Sequence, residues 1–177
     1  MRIITGIARG IKLNTPEGEH TRPTAEKVKE AVFSAIHFDI HDRKVLDLFG
    51  GSGQLAFEAL SRGAGKATII DNDRNAVAII KENAIKTKLM EKCVIINSDW
   101  KDFVKHAIDK YSLVFLDPPY KEGFLDEVLE KIYAAGILTD DAIVVCESGP
   151  DGVPVSPGVK DCKIYRYGRV HISIFRF

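Results

Sequence analysis

The sequence predicts an α/β fold, a mostly parallel sheet covered by helices on both faces, and three observations carry that prediction. From Lys44 onward, short β-branched runs alternate with helix-length amphipathic segments, which is how strands joined by helical crossovers read. The first run leads directly into Phe49-Gly50-Gly51-Ser52-Gly53 and then a helix, the junction at which doubly wound sheets hold a ligand. The last two runs are separated only by Gly168 and Arg169, so the sheet closes with an antiparallel hairpin.

Taken in order, Ile3, Ile4 and the apolar run 11–13 flank a turn near Gly6 to Gly10 and form a small hairpin. Thr24 is placed to cap a helix reaching about Ile36, whose apolar positions Ala25, Val28, Val32, Ala35 and Ile36 make one face. Strands are expected at 44–48, 67–70, 93–97, 113–116 and 142–146, with helices between them at about 55–62, 74–88, 101–107 and 124–134. In the last helix Phe124, Leu125, Val128, Leu129 and Ile132 recur at helical spacing, one stripe facing a core. Right-handed crossovers leave little freedom in how these helices cover the sheet. After Gly149, a stretch containing Pro150, Gly152, Pro154, Pro157 and Gly158 breaks the alternation. The runs 163–167 and 170–175 follow, with Val170, Ile172 and Ile174 alternating against His171, Ser173 and Phe175. The expected organisation is one domain over 1–177, with residues 1–40 an N-terminal extension and 41–177 the core.

At 177 residues the chain is long enough for one sizeable core and too short for two α/β domains. No apolar run approaches the roughly 18–20 residues of a membrane span, and no signal-peptide pattern opens the chain, so a cytoplasmic protein without membrane contact is expected. Cys93, Cys146 and Cys162 lack metal-ligand or redox spacing, so neither disulfide nor metal is expected. The 25 basic and 25 acidic residues cancel, which by itself argues against phosphate binding. Their placement does not. Arg2, Arg9 and Lys12 precede the first acid, Glu17, and the last 18 residues hold Lys160, Lys163, Arg166, Arg169 and Arg176 against Asp161 alone. A basic patch forms if the fold brings the two ends together.

The candidate cofactor loop is Asp47 with Phe49, Gly50, Gly51, Ser52 and Gly53, where glycines permit positive φ and close approach of backbone to ligand. It is not a P-loop, because no Gly-Lys-Ser or Gly-Lys-Thr follows, and Leu55 and Ala56 stand where a dinucleotide fingerprint needs its third glycine. About twenty residues on, Asp71 ends the second strand and, with Asn72 beside it, is placed to accept from ribose hydroxyls, while Asp73 caps the following helix. Asp99, past the third strand, can accept from an adenine amino group with Trp100 flanking the ring.

The most informative element is Asp117-Pro118-Pro119-Tyr120 after the fourth strand, where two prolines would ruin a ladder and therefore mark a rigid loop. An exocyclic base amine is a poor nucleophile because its lone pair is delocalised into the ring. It improves when acceptors hold both N–H groups. The Asp117 carboxylate and the Pro118 carbonyl supply that pair, since Pro119 has no N–H to compete for the carbonyl. Tyr120 offers a face for an extruded base, worth roughly 1–3 kcal/mol, comparable with the cost of extrusion.

The segments DLFGGSG, IIDND, NSDW and DPPY, in this order, resemble the successive motifs of Rossmann-like class I methyltransferases with an amino-group target. The opening RIITGIARGIKLNTPEG and TRPTAEKVKEAVFSAI, with FEALSRGAGKA and YRYG further on, is similar to the RsmD-like 16S rRNA guanine-N2 methyltransferase family over nearly the whole chain. The resemblance implies a seven-stranded sheet with an antiparallel last strand, S-adenosyl-L-methionine as donor, and a guanine amino group in small-subunit rRNA, free or in an assembling subunit, as acceptor. It implies that the Gly50 to Gly53 loop holds the methionine moiety, Asp71 the ribose and Asp99 the adenine. It further implies that Asp117 to Tyr120 form the catalytic loop and that Arg22, Pro23 and Thr24 line the cofactor or RNA side. Arg9, Lys12, Arg22, Tyr120, Arg166 and Arg169 are the candidate RNA contacts, and a monomer is expected. Alternatives are a DNA or RNA adenine-N6 or cytosine-N4 methyltransferase, a glutamine methyltransferase, which typically carries NPPY where this chain has Asp117, and a non-catalytic RNA-binding module.

Overall fold

The structure, a computed structural model, describes residues 1–16, 23–118, 123–149 and 153–177, and for residues 23–25 the backbone alone. Helix α1 spans Pro23–Ala35. Proline thus takes the first helical position, where its fixed φ and missing N–H cost nothing, and Thr24, expected as the cap, lies inside the first turn instead. The remaining elements are β1 (Lys44–Asp47), α2 (Gln54–Ser61), β2 (Lys66–Asp71), α3 (Arg74–Lys86), β3 (Cys93–Asn97), α4 (Trp100–His106), β4 (Tyr111–Leu116), α5 (Phe124–Ala134), β5 (Leu138–Ser148), β6 (Asp161–Tyr167) and β7 (Val170–Arg176).

The seven strands lie in the order β3-β2-β1-β4-β5-β7-β6. β1 to β5 are mutually parallel, and β7 runs antiparallel to both β5 and β6. The two-residue link between β6 and β7 allows only a hairpin, since a parallel connection needs a crossover. The more apolar strand takes the interior place: Ile172, Ile174 and Phe175 of β7 are buried, while β6 is largely exposed at the edge. β5 outruns the expected strand because Leu138 pairs with Tyr111 across an irregularity in the β4 register.

Alternating side chains of the buried strands feed two cores. Val45, Ile69 and Phe115 pack with α1, α2 and α3 on one face, and Leu46, Ile70 and Val114 pack with α4 and α5 on the other. Burial on both faces explains why the central strands read as continuous apolar runs. Among the described residues, no helix is long and apolar enough to cross a membrane.

The N-terminal hairpin forms around an Arg2–Lys12 bridge, with the Ile3 N–H donating to the Ile11 carbonyl at 3.0 Å. Its anchor is Glu58 of α2, whose side chain is fully buried. That carboxylate accepts from the N–H groups of Ile4 at 2.7 Å and Thr5 at 3.0 Å and from Arg62 Nε at 2.7 Å. Lys29 of α1 approaches it to 3.6 Å and donates to the Arg2 carbonyl at 2.6 Å. Burial lowers the Lys29 ammonium below its ordinary value, against the pull of Glu58.

Candidate active site

β1 and β4 are neighbours, but the chain leaves β1 on one side for β2 and β3 and then crosses back to place β4 on the other side of β1, so a crevice opens at their carboxyl ends. There a cleft of about 880 Å³ is lined by segments following β1, β2, β3 and β4 and by Phe124 of α5.

The glycine turn is held from several sides. The Gly50 N–H donates to the Ile70 carbonyl at 2.8 Å, and the Gly53 N–H closes back on the Gly50 carbonyl at 2.6 Å. A Cβ on Gly50 would stand 2.7 Å from the Ile69 side chain, and Gly53 has φ +76 at the N-cap of α2, a conformation glycine adopts without penalty. Asp71 grips the turn directly, because Oδ2 accepts from the Gly51 N–H at 2.8 Å while Oδ1 accepts from the Asp73 N–H at 2.8 Å. The carboxylate expected to face a ribose therefore also shapes the turn, and its remaining lone pairs are the ones open to the cleft. Asp73 caps α3 through the Asn75 N–H at 2.8 Å, as expected.

Asp99 caps α4 through the Lys101 N–H at 2.8 Å and also lines the cleft. Trp100 is buried in an aromatic wall: its ring lies 5.7 Å from Phe124 and 6.5 Å from Phe49, which are 5.7 Å from each other. Asp117 and Pro118 complete the opposite side. Every charged side chain lining the cleft is a carboxylate: Asp47, Asp71, Asp99 and Asp117, with no Lys, Arg or His among the described lining residues. Such a cleft favours a cationic ligand and disfavours a phosphate.

Asp47 is the most constrained of the four. It is 1% exposed, Oδ1 has no hydrogen-bond partner among the described residues, and its carboxyl is pushed up to about 7. Burial is the main cause, the N–H groups of Phe49 and Ala56 act against it, and the Asp71 charge adds to it. An orphaned acidic oxygen at the cleft is the partner a ligand's ammonium group needs, so the residues present fit a donor that carries one. The folded-state value lies above the ordinary one, so the folded protein holds the proton more tightly and stability falls as pH rises from about 4 to 7. Asp47→Asn is expected to remove this decline, raising ligand-free stability at pH 8 by up to about 4 kcal/mol, the value of a thousandfold difference in proton affinity. Denaturant unfolding of both proteins at pH 5 and pH 8 checks it, and parallel pH profiles would contradict it.

Of the residues singled out in the sequence, Asp47, Phe49, Gly50, Gly51, Ser52, Asp71, Asn72, Asp99, Trp100, Asp117 and Pro118 line this one cleft. Gly53 stands beside it as the α2 N-cap. Arg22, Pro119 and Tyr120 lie outside the described residues, as does the Thr24 side chain. Arg166 and Arg169 are exposed at the β6–β7 turn. The registers Leu116↔Cys146, Ser148↔His171 and Arg166↔His171 bring that turn to the cleft's end of the sheet, three strand spacings or roughly 14 Å from β4. Arg9 is exposed on the N-terminal hairpin, whose Ile7 N–H donates to the Ser61 carbonyl at the far end of α2 from the glycine turn, and Lys12 is exposed in the bridge to Arg2. Arg2 and Arg176 are engaged by Glu26 and Asp39, at 3.4 and 2.8 Å. Sequence reasoning passed over Phe124, whose helical spacing reads as core although its ring forms the cleft wall. It also passed over Leu48, Gln54, Leu55 and Ser98, which carry no chemical signature of their own.

The chain matches the family model described as "Conserved hypothetical protein 95" over residues 1–176. It is 36% identical over 158 residues to the "Ribosomal RNA small subunit methyltransferase D" of Escherichia coli strain K12, covering 89% of this chain and 79% of that protein. The solved structure of "Putative methyltransferase yhhF from Escherichia coli" superposes with a TM-score of 0.90 at 34% identity, over 99% of this chain and 97% of that one. A more distant structure, SMU.776 "complexed with SAH", shares the fold at a TM-score of 0.70 and 13% identity, over 89% of this chain and 50% of that one. The glycine turn, the strand-end carboxylates and the Asp117-Pro118 loop thus sit on a Rossmann-like class I methyltransferase fold, and the chain belongs to the RsmD family of ribosomal RNA methyltransferases.

Proposed function

We propose that this S-adenosylmethionine-dependent ribosomal RNA methyltransferase acts on the exocyclic N2 amino group of a guanine in small-subunit rRNA. The observation that carries the proposal is the convergence of the Gly50 to Gly53 turn, Asp71 and the Asp117-Pro118 segment on one cleft whose charged lining, among the described residues, is wholly acidic. S-adenosylmethionine, when bound, supplies a methyl group on a positively charged sulfur. The turn and Asp47 would hold its amino-acid end, Asp71 and Asn72 the ribose, and Asp99 with the Trp100 wall the adenine.

On the acceptor side, Asp117 and the Pro118 carbonyl hold the two N–H groups of the guanine amine, turning its lone pair toward the methyl carbon. As the N–C bond forms, the methyl–sulfur bond breaks and the nitrogen's extra proton passes to Asp117 or to water. Holding both partners in line supplies most of the acceleration. Arg166 and Arg169 offer phosphate contacts on the side from which RNA reaches the Asp117 loop.

Incubating the protein with S-adenosylmethionine and small-subunit rRNA, naked or within assembling particles, and digesting the RNA to nucleosides tests the reading. N2-methylguanosine is the expected product. N6-methyladenosine or N4-methylcytidine instead would assign a different acceptor. Asp71→Ala is expected to weaken S-adenosylmethionine binding by tenfold or more, about 1.4 kcal/mol or above, with a smaller effect on turnover at saturating donor. Calorimetric titration checks it, and unchanged binding would remove Asp71 from the donor site.

A further inference from the structure

Asn83 lies in the third turn of α3 and is fully buried, yet nothing in the motif pattern marks it. Its amide makes three hydrogen bonds, and all leave the helix. Oδ1 accepts from the Asn14 N–H at 2.8 Å, and Nδ2 donates to the Asn14 carbonyl at 2.9 Å and to the Ser52 carbonyl at 2.9 Å. The first two bonds pair the side chain with the backbone of Asn14 as a neighbouring strand would. The third fixes the orientation of the Ser52–Gly53 peptide in the glycine turn, whose Gly51 N–H is gripped by Asp71. One buried amide therefore ties the N-terminal extension to the cleft-lining turn.

We propose that Asn83 is a positioning residue that sets the glycine turn for donor binding and couples the turn to the N-terminal extension, so that ordering either one favours the other. Physically, both carbonyls and the Asn14 N–H depend on the same planar group. A shift of the Asn14 segment drags the amide, and the amide drags the Ser52 carbonyl. By linkage the coupling is reciprocal. A ligand seated on the turn should tighten residues 1–16, and RNA held by the extension should tighten the donor. The inference rests on the assignment of this cleft to the donor.

The test compares wild type, Asn83→Ala and Thr87→Val. Thr87 is the C-cap of the same helix and is also buried, but among the described residues its hydroxyl serves only the Asn83 and Ala84 carbonyls, so it controls for loss of a buried polar group. Asn83→Ala is expected to raise the Kd for S-adenosylhomocysteine and the KM for S-adenosylmethionine about tenfold, with kcat at saturating donor within about twofold. In wild type and Thr87→Val, S-adenosylhomocysteine should slow hydrogen exchange in residues 1–16; in Asn83→Ala it should not. Asn83→Asp, which keeps the acceptor and loses the donors, serves where the alanine variant does not fold. It should be weakened more at pH 8 than at pH 5, where the protonated carboxyl can again donate. Ligand-induced protection that survives unchanged in the Asn83 variants, or donor affinity within twofold of wild type, overturns the proposal. Loss of affinity in Asp71→Ala but not in Asn83→Ala overturns this proposal and leaves the assignment of the cleft standing, whereas normal affinity in both overturns the assignment of the cleft itself.

Discussion

Asp117→Ala is expected to lower methyl transfer by ~10²- to 10⁴-fold, the range found when a group that handles a proton or orients a reacting atom is removed, while S-adenosylmethionine binding stays within a few fold. The separation follows from where the side chain stands. Asp117 is half-buried at the side of the cleft facing β5, beyond the strands that carry the glycine turn and Asp71. In the proposed reaction it holds the acceptor amine, and the donor's ribose and adenine fall to residues on the other strands. On that proposal, alanine would leave one amine N–H without its acceptor and remove one of the two routes, Asp117 or water, for the released proton. Asp117→Asn retains an acceptor oxygen and should fall between wild type and alanine. Single-turnover methylation with saturating donor, alongside calorimetry, separates the two quantities. Equal loss of donor affinity and turnover would remove Asp117 from the acceptor role.

A second large effect is expected far from the chemistry. Glu58→Ala should destabilise the fold by roughly 3–5 kcal/mol, as when one partner of a buried ion pair is removed, lowering the melting temperature by about 6–20 °C for a chain of this length. The variant leaves the Ile4 and Thr5 N–H groups without an acceptor, and the buried Lys29 and Arg62 cations without their counter-ion. Arg62 retains its place over the Phe33 ring, 4.9 Å from the centroid. Lys29 stacks on no aromatic ring among the described residues, so it should account for much of the loss. Lys29→Met combined with Glu58→Gln is therefore expected to recover part of the stability, a non-additivity typical of contacting residues. Additive losses in calorimetric melting would show that the three charges act independently.

Strand and helix positions were legible because burial on both faces of a parallel sheet forces apolar runs, and helical crossovers force the 3.6-residue spacing between them. Helix α5 was read to its boundaries, and β3 likewise. The Gly50 to Gly53 turn, Asp71 and Asp117-Pro118 were legible for another reason. Each carries a constraint that few residue types satisfy, such as positive φ, a strand-end carboxylate or a missing N–H. Their convergence on one cleft followed from topology, since all lie just past the carboxyl ends of neighbouring parallel strands.

The sequence by itself determined the periodicities, the turns and the residue chemistry, since these depend on neighbours a few positions away along the chain. Tertiary structure alone decided what depends on distant partners. Burial beside Asp71 makes Asp47 a weak acid, packing against Phe49 and Trp100 makes Phe124 a cleft wall, and the meeting of Asn14, Ser52 and Asn83 ties the N-terminal extension to the glycine turn. A side chain's charge state and hydrogen-bond partners are set by what surrounds it, and here those surroundings come from segments 20 to 70 residues apart, too far for any local pattern to record.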